Sequence, residues 1–467
     1  MKMWSGRFRQ ALDPEFERWQ RSFPFDRRLL EYEVEASRAH ARALKNAQVI
    51  SAEELASLLF GLDRILEQAA ADRSFLEDDE AEDVHHFVEK KLVSLTGDAG
   101  YKLHTGRSRN EQIATDLRLY VRTSIDELQG RIADFLEAFL ACAERAGNAV
   151  MPAYTHLQKA EPVLVAHWLL AYVEMFSRDF ERLSDCRKRV NLCPLGSGAV
   201  AGATIQLDRH AMAAELGFDA PTANSVDATS DRDFVLEFVA NLSLLAVHLS
   251  RWAEEMILFS TEEFGFLLLP EAYSTGSSAM PQKKNPDLLE LIRGKAARIA
   301  GSATSLLMSV KGLPLAYNKD LQETQEPLFD ACETALFMIP LATGWMNAVE
   351  FQFERMQEAA RAGFMNAWAA ATYLVERGVP FRLAHEQIGK AVRFCIERGC
   401  ELADLSLEQL RQFSPVIEAD FHSRLELDAV LAIHDVVGGT APGRVKQAIS
   451  AAKQRVAAMR GAAHAHA

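Results

Sequence analysis

The sequence predicts an all-α chain built on long packed helices, and three observations carry that expectation. The 467 residues include only 25 glycines and 15 prolines, a shortage that leaves few turns and favours long elements. No proline interrupts the stretch between Pro24 and Pro152. Within it, Ile113, Leu117, Val121, Ile125, Leu128, Ile132, Phe135 and Phe139 advance by three or four residues each time. That is the apolar stripe of a helix of about ten turns. Ser108 and Glu111 open it with the S-x-x-E spacing of a capping box.

The remaining elements follow in chain order. A less regular helical stretch runs from Pro162 to about Asn191. A second stripe comprises Phe234, Phe238, Leu242, Leu245, Leu249, Trp252, Met256 and Phe259. A third comprises Leu289, Ile292, Ala296, Ile299, Ala303, Leu306 and Val310. Asn285-Pro286 opens the third, an amide cap followed by a proline whose missing N–H costs nothing in the first turn. A last long stretch spans about Asp320 to Asn347. Stripes of this spacing pack as coiled-coil-like bundles, and no alternating strand pattern of comparable strength appears. Leu119, Tyr120, Val235, Leu244 and Leu307 lie off the stripes, which implies a second buried face and therefore an oligomer. A monomer whose terminal regions cover those faces is the alternative.

Composition divides the chain into three helical domains. Residues 1–107 are charge-rich, with an acidic run from Glu77 to Asp83, and residues 108–358 hold the long-helix bundle. Residues 359–467 carry shorter amphipathic pieces broken at Gly378-Val379-Pro380 and Gly438-Gly439. The tail from Gly461 to Ala467 lacks an apolar period and is expected to fray.

Charge and motifs exclude several functions. A net charge of −14 disfavours binding to nucleic acid or to an anionic membrane. Apolar runs are cut by His167, His248 and nearby charges before they reach membrane length. The N-terminus, with Lys2, Arg7, Arg9 and Asp13, lacks the apolar core of a secretory signal. Cys142, Cys186, Cys193, Cys332, Cys395 and Cys400 are scattered without a C-x-x-C pair, as expected of reduced core thiols in a cytoplasmic protein. Gly196, Gly198 and Gly202 are spaced one residue too far for a dinucleotide fingerprint, with no strand expected before them. Gly294-Lys295 lacks the rest of a P-loop, and His85-His86 and His385-Glu386 lack zinc spacing. No nucleotide cofactor or metal is expected.

Polar residues concentrate instead in three loops beside the long helices. His104 to Asn110 (HTGRSRN) combines two guanidinium groups, hydroxyls and an amide at a fresh helix N-terminus, the inventory of an anion site. For Arg107 or Arg109 alone, an exposed arginine at a capped helix start is the simpler account. Thr155, His156 and Gln158 lie in a loop pinned by Pro152 and Pro162, where His156 is a candidate acid/base rather than a core histidine. Ser274 to Asp287 (STGSSAMPQKKNPD) has the small and hydroxyl residues of a mobile lid, then Lys283 and Lys284 to attract a carboxylate. A nearby ammonium also favours a serine alkoxide, making Ser277 or Ser278 a candidate base. Glu290 follows in the first helical turn, where the dipole already favours a carboxylate.

At these loops the chain resembles the fumarase/aspartase superfamily, whose shared GSxxMPxKxNP loop is complete from Gly276 to Pro286. HTGRSRN, YTHLQ and MPQKKNPD are similar to the argininosuccinate lyase branch. So are Trp4 to Phe8, Ser22 to Asp26, Asn224 to Phe234, Tyr317 to Gln322 and Gly438 to Pro442. The resemblance implies a homotetramer with a twenty-helix core, each active site being built from three subunits. It implies reversible, cofactor-free β-elimination of argininosuccinate to arginine and fumarate, a step of arginine biosynthesis. By the same resemblance Ser277 is the base, and His156, paired with Glu290, protonates the departing guanidine, although the two roles are open to exchange. Lys283 and Asn285 hold the carboxylate on which charge develops, and Ser22, Asn110 and Thr155 bind the succinyl portion. Tyr317 and Gln322 contact substrate, and Asp26 faces its cationic end. The alternatives are a sister fumarate-releasing lyase of the aspartase, fumarase or adenylosuccinate lyase type, and a crystallin-like structural homologue. Three departures stand out: Gln325 where the family usually has lysine, Ser5 for a common glycine, and a segment 367–375 that lacks two acidic residues.

Overall fold

A computed structural model of the chain describes residues 10–464. The motif around Trp4 to Phe8, with Ser5, lies outside the described residues. The chain is predominantly helical. The N-terminal third holds α1 (Leu30–Asn46), α2 (Ala52–Ala71) and α3 (Val84–Thr96), followed by the 38-residue α4 (Arg109–Ala146). Next come strands β1 (Val150–Thr155) and β2 (Gln158–Leu164), then α5 (Val165–Val190) and α6 (Asp233–Ser260). Two-residue strands β3 (Thr275–Gly276) and β4 (Lys284–Asn285) precede α7 (Asp287–Val310) and α8 (Gln325–Ala348). The C-terminal part contains α9 (Phe353–Arg361), α10 (Ala367–Glu376), α11 (Phe381–Arg398) and α12 (Pro442–His464).

The stripes form the core. Every residue of the first two stripes is buried, as are Leu289, Ile292, Ala296, Ile299 and Leu306 of the third. By length and composition alone α6 is apolar enough to cross a membrane. Its stripe is instead covered by protein, and His248 at its middle lies 2.6 Å from Asp179. Of the off-stripe residues, Leu119 and Val235 are already buried within the chain, while Leu244 and Leu307 remain exposed.

Several boundaries differ from the sequence expectation. Pro162 lies in β2, so the helix begins at Val165. Residues Lys319–Thr324 form a 3₁₀ turn before α8 begins at Gln325. Pro286, not Asn285, supplies the first carbonyl of α7, accepting from the Glu290 N–H at 3.1 Å, because Asn285 is held in β4. The Ser108 capping box is half formed: Glu111 accepts from the Ser108 N–H at 3.0 Å, but the serine hydroxyl accepts from Asn110 at 3.3 Å. A two-residue strand, Leu192–Cys193, does precede the glycine-rich segment; it pairs in parallel with Ala220–Pro221, and the short helix Arg209–Glu215 lies in the connection. The tail continues α12 to His464, with Ala463 buried. All six cysteines are free, and all but Cys400 are buried.

The chain separates into two compact units, residues 1–127, 182–243 and 298–335 in the first, and the rest in the second. The first packs Ala36, Ala39, Leu119, Leu195, Met212 and Phe218 into one cluster. In the second, Phe135 packs tilted against Phe139 and Phe176 and edge to face against Trp252, which meets Trp345 edge to face, the geometry aromatic quadrupoles prefer. A separate cluster around Tyr373, Leu374, Ile388, Leu410 and Phe421 organises the C-terminal segment. Ala369 is buried and Thr372 half-buried, so the two acid-free positions of segment 367–375 face protein.

Candidate active site

The first unit carries a half-open polar cavity of about 130 Å³, and seven sequence-predicted residues line it: Ser22, Asp26, Arg109, Asn110, Tyr317, Gln322 and Gln325. They come from three separate stretches of sequence. The Ser22 and Phe23 N–H groups donate to the Glu82 carbonyl at 2.9 and 3.2 Å, and the Val84 N–H donates to Asp26 at 3.0 Å. These bonds stitch the first stretch to the start of α3. Arg109, at the first turn of α4, reaches Glu82 at 3.1 Å and Asp83 at 2.9 Å. Its guanidinium is thus held rigid and largely neutralised, rather than exposed. The Asn110 amide donates to the Ala199 carbonyl at 3.2 Å, and that of Gln322 to the Gln20 carbonyl at 3.2 Å. Gln325 is buried, and its Oε1 has no hydrogen-bond partner among the described residues. Ala316, preceding Tyr317, has φ +65°, a left-handed conformation that costs a residue with a Cβ about 1–2 kcal/mol. Strain of this kind clusters at functional sites.

Burial sets the electrostatics of the cavity. It pushes the Asp26 carboxyl up to about 7, with the Asp83 charge adding to the effect. Burial also raises the Tyr317 hydroxyl, which therefore stays protonated and able to donate. Beneath Asp26, His85 Nδ1 lies 2.7 Å from Glu33 and 3.7 Å from Asp116, all three being buried. Burial alone would raise Glu33, but His85 and Arg107 outweigh it and hold the carboxylate down. Burial and the Glu33 charge push the Asp116 carboxyl well up. The ligand atoms of these three residues converge within 4.8 Å, as a metal site requires. However, Arg107 sits 3.6 Å from Glu33, and Gln112 and Ser37 also donate to it. Glu33 is thus occupied by protein donors, whereas both Asp116 oxygens are buried without a hydrogen-bond partner among the described residues.

Sequence reasoning missed Glu82, Asp83, His85 and Lys319, which also line the cavity. Glu82 and Asp83 were hidden in an acidic run, and His85 was judged only against zinc spacing. The pairing of Arg109 with acids 26 and 27 residues upstream leaves no local signal.

The other six predicted residues lie in the second unit, on two surface elements. Thr155 and His156 do not sit in an irregular loop: they form the end of an antiparallel hairpin, in which Thr155 pairs with Gln158 and Tyr154 with Lys159. The turn residues His156 and Leu157 have φ +54° and +57°. A two-residue turn with both centres left-handed matches the twist of the strands, but it normally uses glycine or asparagine. Two residues carrying a Cβ cost about 1–2 kcal/mol each here. The turn is exposed, and His156 makes no hydrogen bond among the described residues.

The second element is the Ser274 to Asp287 segment. Pairing of Thr275 with Asn285 and of Gly276 with Lys284 closes the segment 277–283 into a compact loop. Asp287 fastens its base, accepting from the Thr275 hydroxyl at 2.6 Å. The Ser277 hydroxyl accepts from the Met280 N–H at 3.1 Å, which turns the chain at the tip. Asn285 donates to the Thr275 hydroxyl at 3.4 Å, Lys283 is exposed, and Glu290 lies 3.9 Å from Arg293. Among the described residues no hydrogen bond or ion pair joins His156, Ser277, Lys283 and Glu290 to one another.

Comparison with known proteins places this architecture. A lyase family model matches residues 6–301, and the argininosuccinate lyase C-terminal model matches residues 364–432. The chain is 60% identical to the argininosuccinate lyase of Koribacter versatilis over 98% of both chains. It is 58% identical to that of Acidobacterium capsulatum, over 97% of this chain and 95% of the relative. An EDDS lyase variant with bound fumarate shares the fold with a TM-score of 0.85 and 26% identity, over 98% of this chain and 93% of that one. Fold and matched model together define a lyase of the fumarase/aspartase superfamily. Within it, the chain belongs to the argininosuccinate lyase family.

Proposed function

We propose that the chain cleaves argininosuccinate reversibly to arginine and fumarate by β-elimination. The observation that carries this reading is the gathering of Ser22, Asp26, Arg109, Asn110, Tyr317, Gln322 and Gln325 around one cavity. The reaction removes a proton from the carbon next to a succinyl carboxylate, breaks the bond from the neighbouring carbon to the guanidino nitrogen, and leaves the C=C bond of fumarate. The α-proton is a weak acid, so preorganised donors must hold the extra charge on the carboxylate. Lys283 and Asn285 serve that end, with Ser277 as base on the closing lid. His156, supported by Glu290, delivers the proton to the departing guanidine. Asn110, Ser22 and Thr155 hold the succinyl portion, and Asp26 meets the cationic end. Fumarate bound to the related EDDS lyase variant supports release of the same product class from this fold.

The three polar elements need not meet within one chain. In our reading, a homotetramer brings the lid, the hairpin and the cavity together from three protomers, and the exposed Leu244, Val247, Leu291, Leu307 and Phe337 on the long helices suit such packing. A cytoplasmic location accords with six free thiols. The test is turnover in single-site variants: Ser277→Ala and His156→Asn should each lower fumarate release by about a thousandfold or more, leaving a small residual rate, while the oligomer, measured by light scattering, persists. A near-normal rate in either variant removes that residue from the mechanism.

A further inference from the structure

His156 occupies a backbone conformation that side chains with a Cβ avoid, and so does Leu157 beside it. Something outside the turn must keep the tip in place. One flank is apolar: the Tyr154 ring packs against Phe259 and Phe264 with centroids 6.1 and 5.6 Å apart. The other flank is polar. Lys159, the cross-strand partner of Tyr154, donates its ammonium to the Ala359 carbonyl at 2.7 Å and the Ala362 carbonyl at 3.4 Å. These carbonyls close α9, where the last turn has no helical N–H left to satisfy it and the helix dipole is negative. Their own chain is fixed from beyond, because Glu401 accepts from the Gly363 and Phe364 N–H groups at 3.0 and 3.4 Å. The contacts thus run from Glu401 through the end of α9 to Lys159, and from Lys159 to the turn.

We propose that Lys159 is a positioning residue. Its ammonium, seated on the C-terminal carbonyls of α9, holds the strained hairpin tip so that His156 presents its imidazole in one orientation. Lys159 touches no reacting atom and acts only through His156. The proposal rests on the acid/base role given to His156 above, and His156→Asn tests that role separately.

Lys159→Met keeps most of the stem and deletes the donors. It should lower kcat about three- to tenfold, since small misplacements of a catalytic group weigh on turnover, while leaving KM within twofold. Lys159→Arg restores a charged donor and should recover at least half of the lost rate. The decisive arm places Lys159→Met in the His156→Asn background, where it should lower the residual rate no further. A kcat unchanged by Lys159→Met overturns the proposal, and so does an equal loss with and without His156. If Lys159→Met fails to assemble, Lys159 belongs to folding, and the positioning role falls with it.

Discussion

Arg109 and His156 are both polar residues assigned to the site, yet the fold treats them in opposite ways. Arg109 is locked between Glu82 and Asp83 at the wall of a half-open cavity, above a buried layer of Glu33, His85, Asp116 and Arg107. His156 stands on an exposed, strained turn with no hydrogen-bond partner among the described residues. The same contrast separates Asp26 from Ser277 and Lys283. Ser22, Asp26, Gln322 and Gln325, assigned to binding, are buried before substrate arrives, which leaves them little reorganisation to do. The groups assigned to proton transfer are presented on projecting elements, one rigid by strain and one a closed loop. A composite site accounts for that division, because each protomer would offer its projections to a neighbour's cavity.

The largest expected effect falls on the projections. Ser277→Ala and His156→Asn should each lower kcat by about a thousandfold or more, in the range of general acid–base and nucleophile activation, with secondary structure unchanged by circular dichroism. The intermediate effect falls on the cavity and shows in stability. Asp26 titrates near 7 when folded and near 3.8 when unfolded, so the native chain binds its proton more tightly. The associated stabilisation is complete below about pH 4 and disappears as pH rises through 7, a change on the order of 4 kcal/mol for one buried group. Asp26→Asn keeps the acceptor for Val84 but does not titrate. Its unfolding midpoint in urea should therefore drop less than that of the parent between pH 5 and pH 8, and equal drops would remove Asp26 from this role. The smallest effect concerns Gln325. Gln325→Lys replaces a neutral group by a charged donor, worth about 1 kcal/mol more at a carboxylate, and KM for argininosuccinate should fall about three- to tenfold. An unchanged KM would show that this position does not touch substrate.

The long helices were legible because burial imposes a 3.6-residue period, and the stripes through Phe139, Phe259 and Leu306 are buried as read. The hairpin was not legible. Its turn carries His156-Leu157 instead of the glycine or asparagine that marks such turns, and its strands hold prolines at 152 and 162. The tertiary contacts that stabilise it, such as Lys159 to Ala359, cross 200 residues and leave no local trace. Candidate site residues were found through loop motifs and family resemblance. The buried layer under the cavity was overlooked because His85, Glu33 and Asp116 lie on three different helices and share no motif. Non-local charge pairing of this kind becomes visible only once the helices are packed.

Fumarate release by the purified chain, followed through the ultraviolet absorbance of its double bond, tests the central claim most directly. Supplied in turn with argininosuccinate, aspartate and malate, the chain should release fumarate from argininosuccinate alone, with one arginine formed per fumarate. Release from malate or aspartate and none from argininosuccinate, or no turnover of any of the three, would contradict it.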